Sequence, residues 1–233
     1  MGDWIQIRAS DGSGSFKAYV ARPSTPNGAC VIAIQEIFGV NDGMRQICDD
    51  LADQGYIAVS PDLFWRQEPD IELTDKEEAH WERAFELFNG FDVAKGMEDI
   101  AATIATARTL DGSNGKVGAV GYCLGGMLAY LTAAKTDVDA TVGYYGVSIA
   151  DQLAEASGIK KPLLLHVAGK DEFVPPEAQT KMHEGLDPHP LVTLIDYPDR
   201  DHAFARPDGI HHHSEDAKRA NAHTATFFAE HLT

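Results

Sequence analysis

Cysteine is scarce in this chain: three in 233 residues, an odd number with no C-x-x-C spacing. That argues against a disulfide scaffold and the common structural zinc sites, and it suits a reducing cytoplasm. Basic residues are also few, 19 Lys and Arg against 36 Asp and Glu, giving a formal net charge of −17. So acidic a protein is repelled by nucleic acid and by anionic membrane surfaces, and neither is expected as a partner. No apolar run approaches the roughly 20 residues that span a bilayer. The opening residues, Met1-Gly2-Asp3-Trp4, contain no charged stretch followed by an apolar one, so no signal peptide is expected. Met-Gly invites a myristoylation reading, but Gln6 stands where that signal requires Ser or Thr. No repeat, linker or low-complexity segment interrupts the chain, so residues 1–233 are read as one domain with a sizeable core.

What the chain does have is an alternation of strand and helix signals. Residues 4–8 and 16–21 alternate polar and apolar around Asp11-Gly12-Ser13-Gly14, which predicts an antiparallel hairpin. Short apolar runs at 30–35, 56–60, 116–121, 140–145, 162–168 and 192–197 read as buried strands. Helical spacing covers 41–54, with Asn41 as N-cap, and then 76–89, 93–110, 127–135, 176–184 and 214–232. Residues 62–75 read as a loop. Alternating β and α elements predict an α/β fold with a mostly parallel sheet and helices on both faces. In such sheets functional residues gather just beyond the carboxyl ends of the strands.

Beyond strand 116–121 lies Gly121-Tyr122-Cys123-Leu124-Gly125-Gly126, leading directly into a helix. G-x-C-x-G is the nucleophile elbow of α/β-hydrolases with Cys in the Ser position. The glycines permit the close crossing of strand and helix, and the helix N-terminus favours thiolate. Beyond strand 162–168 comes Asp171, and beyond strand 192–197 comes His202. Nucleophile, acid and histidine thus appear in the order of the α/β-hydrolase triad. A thiol with a reference pKa of about 8.5 needs an imidazole to take its proton, and the imidazole needs a carboxylate to fix its tautomer. Glu172 and Asp201 are rival acids. The backbone N–H groups of Leu124 and Ile37 are the natural donors to a tetrahedral oxyanion, each worth about 3 kcal/mol of barrier.

Taken together, Glu36-Ile-Phe-Gly-Val-Asn, Pro61-Asp-Leu, Gly121-Tyr-Cys-Leu-Gly-Gly, Gly143-Tyr-Tyr-Gly-Val, Asp171-x-Phe-Val-Pro and His202-x-Phe-Ala-Arg206 resemble the dienelactone hydrolase (carboxymethylenebutenolidase) family over almost the whole chain. The resemblance implies an α/β-hydrolase fold, usually monomeric, with Cys123, Asp171 and His202 as the triad. It implies that Glu36 engages the resting thiol and withdraws when substrate binds. It implies opening of an unsaturated lactone from chloroaromatic breakdown through an acyl-enzyme, with no cofactor. It also implies that Arg206 holds the substrate carboxylate, with Phe38, Phe85 and Tyr145 among the substrate-binding residues. In one respect the chain departs from the family: a second arginine expected on helix 76–89 is matched here by Trp81, and Arg83 points to a different face. Trp81, Phe85, Phe88, Phe38 and Phe64 suggest an apolar pocket instead, so a broad carboxylesterase or thioesterase is the alternative. His211-His212-His213 reads as a solvated loop and not a metal site. Cys30 and Cys48 read as small core residues.

Overall fold

A computed structural model describes residues 2–232. Eight strands form one sheet in the order β1-β2-β4-β3-β5-β6-β7-β8. The first two, β1 (Asp3–Arg8) and β2 (Ser15–Ala21), are the expected hairpin, and β2 pairs antiparallel with β4 (Ile57–Pro61). From β4 through β3 (Cys30–Ile34), β5 (Val117–Tyr122), β6 (Ala140–Tyr144), β7 (Leu163–Ala168) and β8 (Val192–Tyr197) every pairing is parallel. The strands β3 to β7 are buried along their whole length, which is why they read as unbroken apolar runs.

The helices are α1 (Asp42–Asp53), α2 (Glu78–Asn89), α3 (Val93–Ala107), α4 (Leu124–Lys135), α5 (Pro176–Leu186) and α6 (Ser214–Leu232). Asn41 caps α1 as expected, its side-chain oxygen accepting from the Met44 N–H at 3.1 Å. Helix α4 is buried on nearly every side, consistent with its apolar sequence. One element was not anticipated, a 3₁₀ helix at Ile149–Gly158 beside α4 and α5.

This order positions the site. From β3 the chain crosses to β4 on one side, then returns to build β5 on the other. The neighbours β3 and β5 therefore flank the topological switch point, where a crevice opens at the carboxyl edge. Glu36 and Ile37 follow β3, Cys123 follows β5, Tyr145 follows β6, Asp171 follows β7 and His202 follows β8.

Candidate active site

Cys123 sits at the strand-to-helix apex with φ 57° and ψ −115°, a conformation L-residues rarely adopt. Packing enforces it. A Cβ on Gly121 would lie 1.8 Å from the Gly125 carbonyl oxygen, and one on Gly125 would lie 2.3 Å from that of Ile34. Only glycine lets α4 approach β5 and β3 so closely, and that approach places Cys123 at the N-terminus of α4. The Cys123 N–H donates to the Tyr144 carbonyl at 3.1 Å, which fixes the apex. The N–H groups of Ile37 and Leu124 are buried and donate to no acceptor among the described residues, leaving both available to an oxyanion.

His202 Nδ1–H donates to Asp171 Oδ2 at 2.7 Å, with both residues buried. Asp171 Oδ1 accepts from the Phe173 N–H at 2.9 Å, so the carboxylate is held on both oxygens. The rivals fall away: Glu172 is exposed, and Asp201 is exposed with its carboxylate 3.9 Å from His211. His202 Nε2 is buried with no hydrogen bond of regular geometry, but Cys123 lies beside it in the same cavity. Burial works against the charged imidazole. The negative charge on Cys123 and the hydrogen bond to Asp171 overcome it and push the ring up to about 10.

Glu36 is not on the thiol, where the family resemblance places it at rest. Its carboxylate accepts from Arg206 Nε at 2.6 Å and Nη2 at 3.3 Å, while Arg206 Nη1 donates to Asp75 Oδ2 at 2.7 Å. All three are nearly buried, at 4%, 7% and 6% exposed respectively, so the arrangement is a desolvated carboxylate–guanidinium–carboxylate cluster. Asp75 Oδ2 also accepts from the Ile210 N–H at 3.0 Å, and the guanidinium lies over the Phe38 ring at 4.9 Å. Burial alone would lower the Arg206 pKa, but Glu36 and then Asp75 hold it well above the ordinary value. Asp75 was missed by sequence reasoning, since an aspartate in a polar loop carries no motif.

Cys123 opens onto a cavity of about 170 Å³ lined also by Ile37, Trp81, Phe85, Phe88, Val147, Ser148, Phe173, His202 and Arg206. Trp81 and Phe85 line it as expected. Trp81 is fixed by its indole N–H to the Asp75 carbonyl at 2.8 Å and by Phe38 edge-on at 5.0 Å. Phe173, not singled out in the sequence, faces Phe85 at 6.3 Å and packs against His202 at 4.9 Å. Phe38 and Tyr145 differ from expectation. Both are fully buried behind this wall and line a larger neighbouring cavity of about 460 Å³ that does not reach Cys123. The two cavities share Glu36's partner Arg206 as a wall. Arg83 is occupied by Glu68 and Glu86 on the surface and does not line the thiol's cavity.

Among the described residues no group of three or more His, Cys, Asp or Glu is arranged to hold a metal ion. In the histidine run, His211 lies near Asp201 and His213 near Asp216. Cys30 and Cys48 are buried and free. No helix of the described residues is long and apolar enough to cross a membrane.

Comparison with known proteins agrees with this fold. Residues 16–232 match the model of the dienelactone hydrolase family. A protein of Azospirillum brasilense named "Putative carboxymethylenebutenolidase" is 47% identical over 230 residues, covering 98% of both chains. The carboxymethylenebutenolidase of Pseudomonas putida is 42% identical over 225 residues, covering 97% of this chain and 95% of its own. Among solved structures, the "Putative Dienelactone Hydrolase" of Klebsiella pneumoniae superposes with a TM-score of 0.84 at 26% identity, covering 99% of this chain and all of that one.

Proposed function

The chain belongs to the dienelactone hydrolase family and is a carboxylic ester hydrolase, and we propose that it opens small lactones and related esters through an acyl-enzyme on Cys123. The observation that carries this reading is the 2.7 Å bond from His202 to Asp171, behind a cysteine held at a strained strand-to-helix apex. In the proposed cycle Cys123 Sγ attacks the carbonyl carbon. The Ile37 and Leu124 N–H groups receive the developing oxyanion. His202 Nε2 gives its proton to the leaving alkoxide, Asp171 keeping the ring's tautomer and charge. Neutral His202 then takes a proton from water as the water attacks the thioester, and the acid leaves while the thiolate–imidazolium pair is restored. Glu36 acts on the thiol's ionisation: when its carboxylate turns toward the sulfur, like charges disfavour thiolate. The relatives named carboxymethylenebutenolidase support a dienelactone-type substrate, and with it a place in aromatic or chloroaromatic breakdown. The three free, buried cysteines support a reducing cytoplasm as its location.

A second reading, a carboxylesterase for neutral esters, is favoured by one specific observation. The arginine on the cavity wall already carries two carboxylates, and helix α2 presents Trp81 where a second cation would be needed. Three of the five guanidinium N–H donors are used, so two remain for a substrate, but the cluster's net charge is negative. Steady-state hydrolysis of dienelactone beside p-nitrophenyl acetate separates the readings. Efficient lactone turnover by the wild type supports the first. Preference for the neutral ester, reversed by Trp81→Arg, supports the second. Undiminished hydrolysis of both by Cys123→Ala refutes the thiol mechanism outright.

A further inference from the structure

Tyr145 carries three marks that its structural surroundings do not account for. Its hydroxyl is buried and has no hydrogen-bond partner, one of four such side-chain atoms in the described residues. Native proteins rarely leave a buried phenol unpaired. Its backbone has φ 37°, an uncommon conformation for a bulky non-glycine residue. Its ring packs edge-on against His202 with centroids 5.1 Å apart, and it lies on the wall that also holds Glu36 and Arg206. Strain and an unsatisfied polar group together, at a reactive centre, point to a partner gained in another state.

That partner must already be inside. The hydroxyl is shut off from solvent, and Tyr145 lines the neighbouring cavity together with Glu36 and Arg206. The charged and titratable groups around it are Glu36 beyond β3, Tyr122 at the end of β5, Cys123 at the elbow, Tyr144 at the end of β6, His166 on β7, Asp171 beyond β7, and His202 and Arg206 beyond β8. Arg206 only donates, so it can serve the phenol oxygen but cannot accept from the phenol O–H. His202 Nδ1 is committed to Asp171, and its ring meets Tyr145 edge to face. Glu36 is the acceptor able to move: one carboxylate oxygen is held by Arg206 at 2.6 Å, the other only at 3.3 Å. Burial, and next the Glu36 charge, keep Tyr145 protonated and therefore a donor.

We infer that Tyr145 is a positioning residue for Glu36: its hydroxyl receives the carboxylate when Glu36 leaves Arg206 and turns toward Cys123. Glu36 then has two docking points. On Arg206 its charge is neutralised, and the sulfur can ionise against His202. On Tyr145 its charge lies beside the sulfur, and the thiol keeps its proton. Nothing is consumed in the exchange: the proton held by His202 in the first state is held by the sulfur in the second. The inference rests on the reading of Glu36 given above, and it adds the group that sets how strongly the thiol is restrained.

The test is the rate of Cys123 alkylation by iodoacetamide, an uncharged reagent, across pH 5 to 9. Wild type, Tyr145→Phe, Glu36→Gln and the double variant are compared, with thermal melts of each. Losing a charge-assisted hydrogen bond is worth roughly tenfold or more in a local equilibrium. Tyr145→Phe is expected to speed alkylation at pH 6 several-fold and move the profile to lower pH, with a melting temperature equal to or above wild type. In the Glu36→Gln background the Tyr145→Phe effect is expected to vanish. An alkylation profile unchanged in Tyr145→Phe overturns the inference, as does an equal effect with and without Glu36. A drop in melting temperature does so too, since it assigns the hydroxyl a resting partner. If Glu36→Gln alone leaves the profile unchanged, the earlier reading of Glu36 fails instead, a distinct result.

Discussion

Replacing Arg206 with leucine should be far more costly than removing a surface cation. The side chain is 7% exposed and neutralises two carboxylates, Glu36 and Asp75, that are 4% and 6% exposed. Removing one partner from a buried ion pair leaves an uncompensated charge and typically costs about 3–5 kcal/mol. Protonation sets a ceiling on that penalty. A buried carboxylate can escape it by binding a proton, which at pH 7 costs about 4 kcal/mol for a reference pKa near 4.3. Asp75 keeps the Ile210 N–H, so its loss is softened, whereas Glu36 keeps no such donor. The expected deficit for Arg206→Leu is therefore about 4–5 kcal/mol at pH 7. For a chain of this size that lowers the melting temperature by roughly 8–20 °C.

The deficit should carry a pH signature. In the variant, the stranded carboxylates bind protons more readily folded than unfolded, so lowering pH favours its fold. The gap to wild type should narrow below pH 7, by at most about 1.4 kcal/mol per pH unit per carboxylate. Combining Arg206→Leu with Glu36→Gln and Asp75→Asn should recover most of the loss, since buried ion clusters are often replaceable as a whole. Urea unfolding at pH 5, 6 and 7 would measure all of this. A deficit below about 1 kcal/mol at pH 7, or one that does not change with pH, would refute the argument that these carboxylates depend on Arg206.

Two further outcomes follow from the same electrostatics. In Cys123→Ala the sulfur's charge is gone, so the His202 titration followed by NMR should fall from near 10 by about a unit or more; a midpoint that stays put would assign the whole elevation to Asp171. His166 is buried between Thr224 and Tyr197, and burial lowers its pKa from 6.5 to about 3. Its ring protonates in the unfolded chain first, so the stability it contributes above pH 6.5 is lost as pH falls toward 3. Wild type should lose up to about 1.4 kcal/mol more per pH unit in that window than His166→Gln, and parallel pH–stability curves would contradict the assignment.

The elbow, the Asp171–His202 pair and the strands were legible because each is written in a short stretch. G-x-C-x-G fits five residues, and its glycines are needed by contacts with Gly125 and Ile34 only a few residues or one strand away. Asp171 and His202 could be placed because a buried strand announces its own end, and the residue just past it stands at the sheet's carboxyl edge. What stayed hidden depends on contacts that no local pattern encodes. Arg206 meets Glu36 across 170 residues and Asp75 across 131, so the cluster that ties up the arginine exists only once β3, the 62–75 loop and the segment beyond β8 have converged. The same limit explains Phe38 and Tyr145. Each sits in a recognisable motif, but which cavity a side chain enters is decided by a rotation about one or two bonds. Tyr145, with φ 37° after β6, lines the neighbouring cavity instead of the one over Cys123, as does Phe38, on whose ring Trp81 and Arg206 pack. Reaction type is thus local in this chain, carried by the strand ends, whereas substrate charge is a property of the assembled wall. Under the proposed function, the charge of the preferred substrate turns on how the Arg206 cluster divides its two remaining donors between protein and ligand.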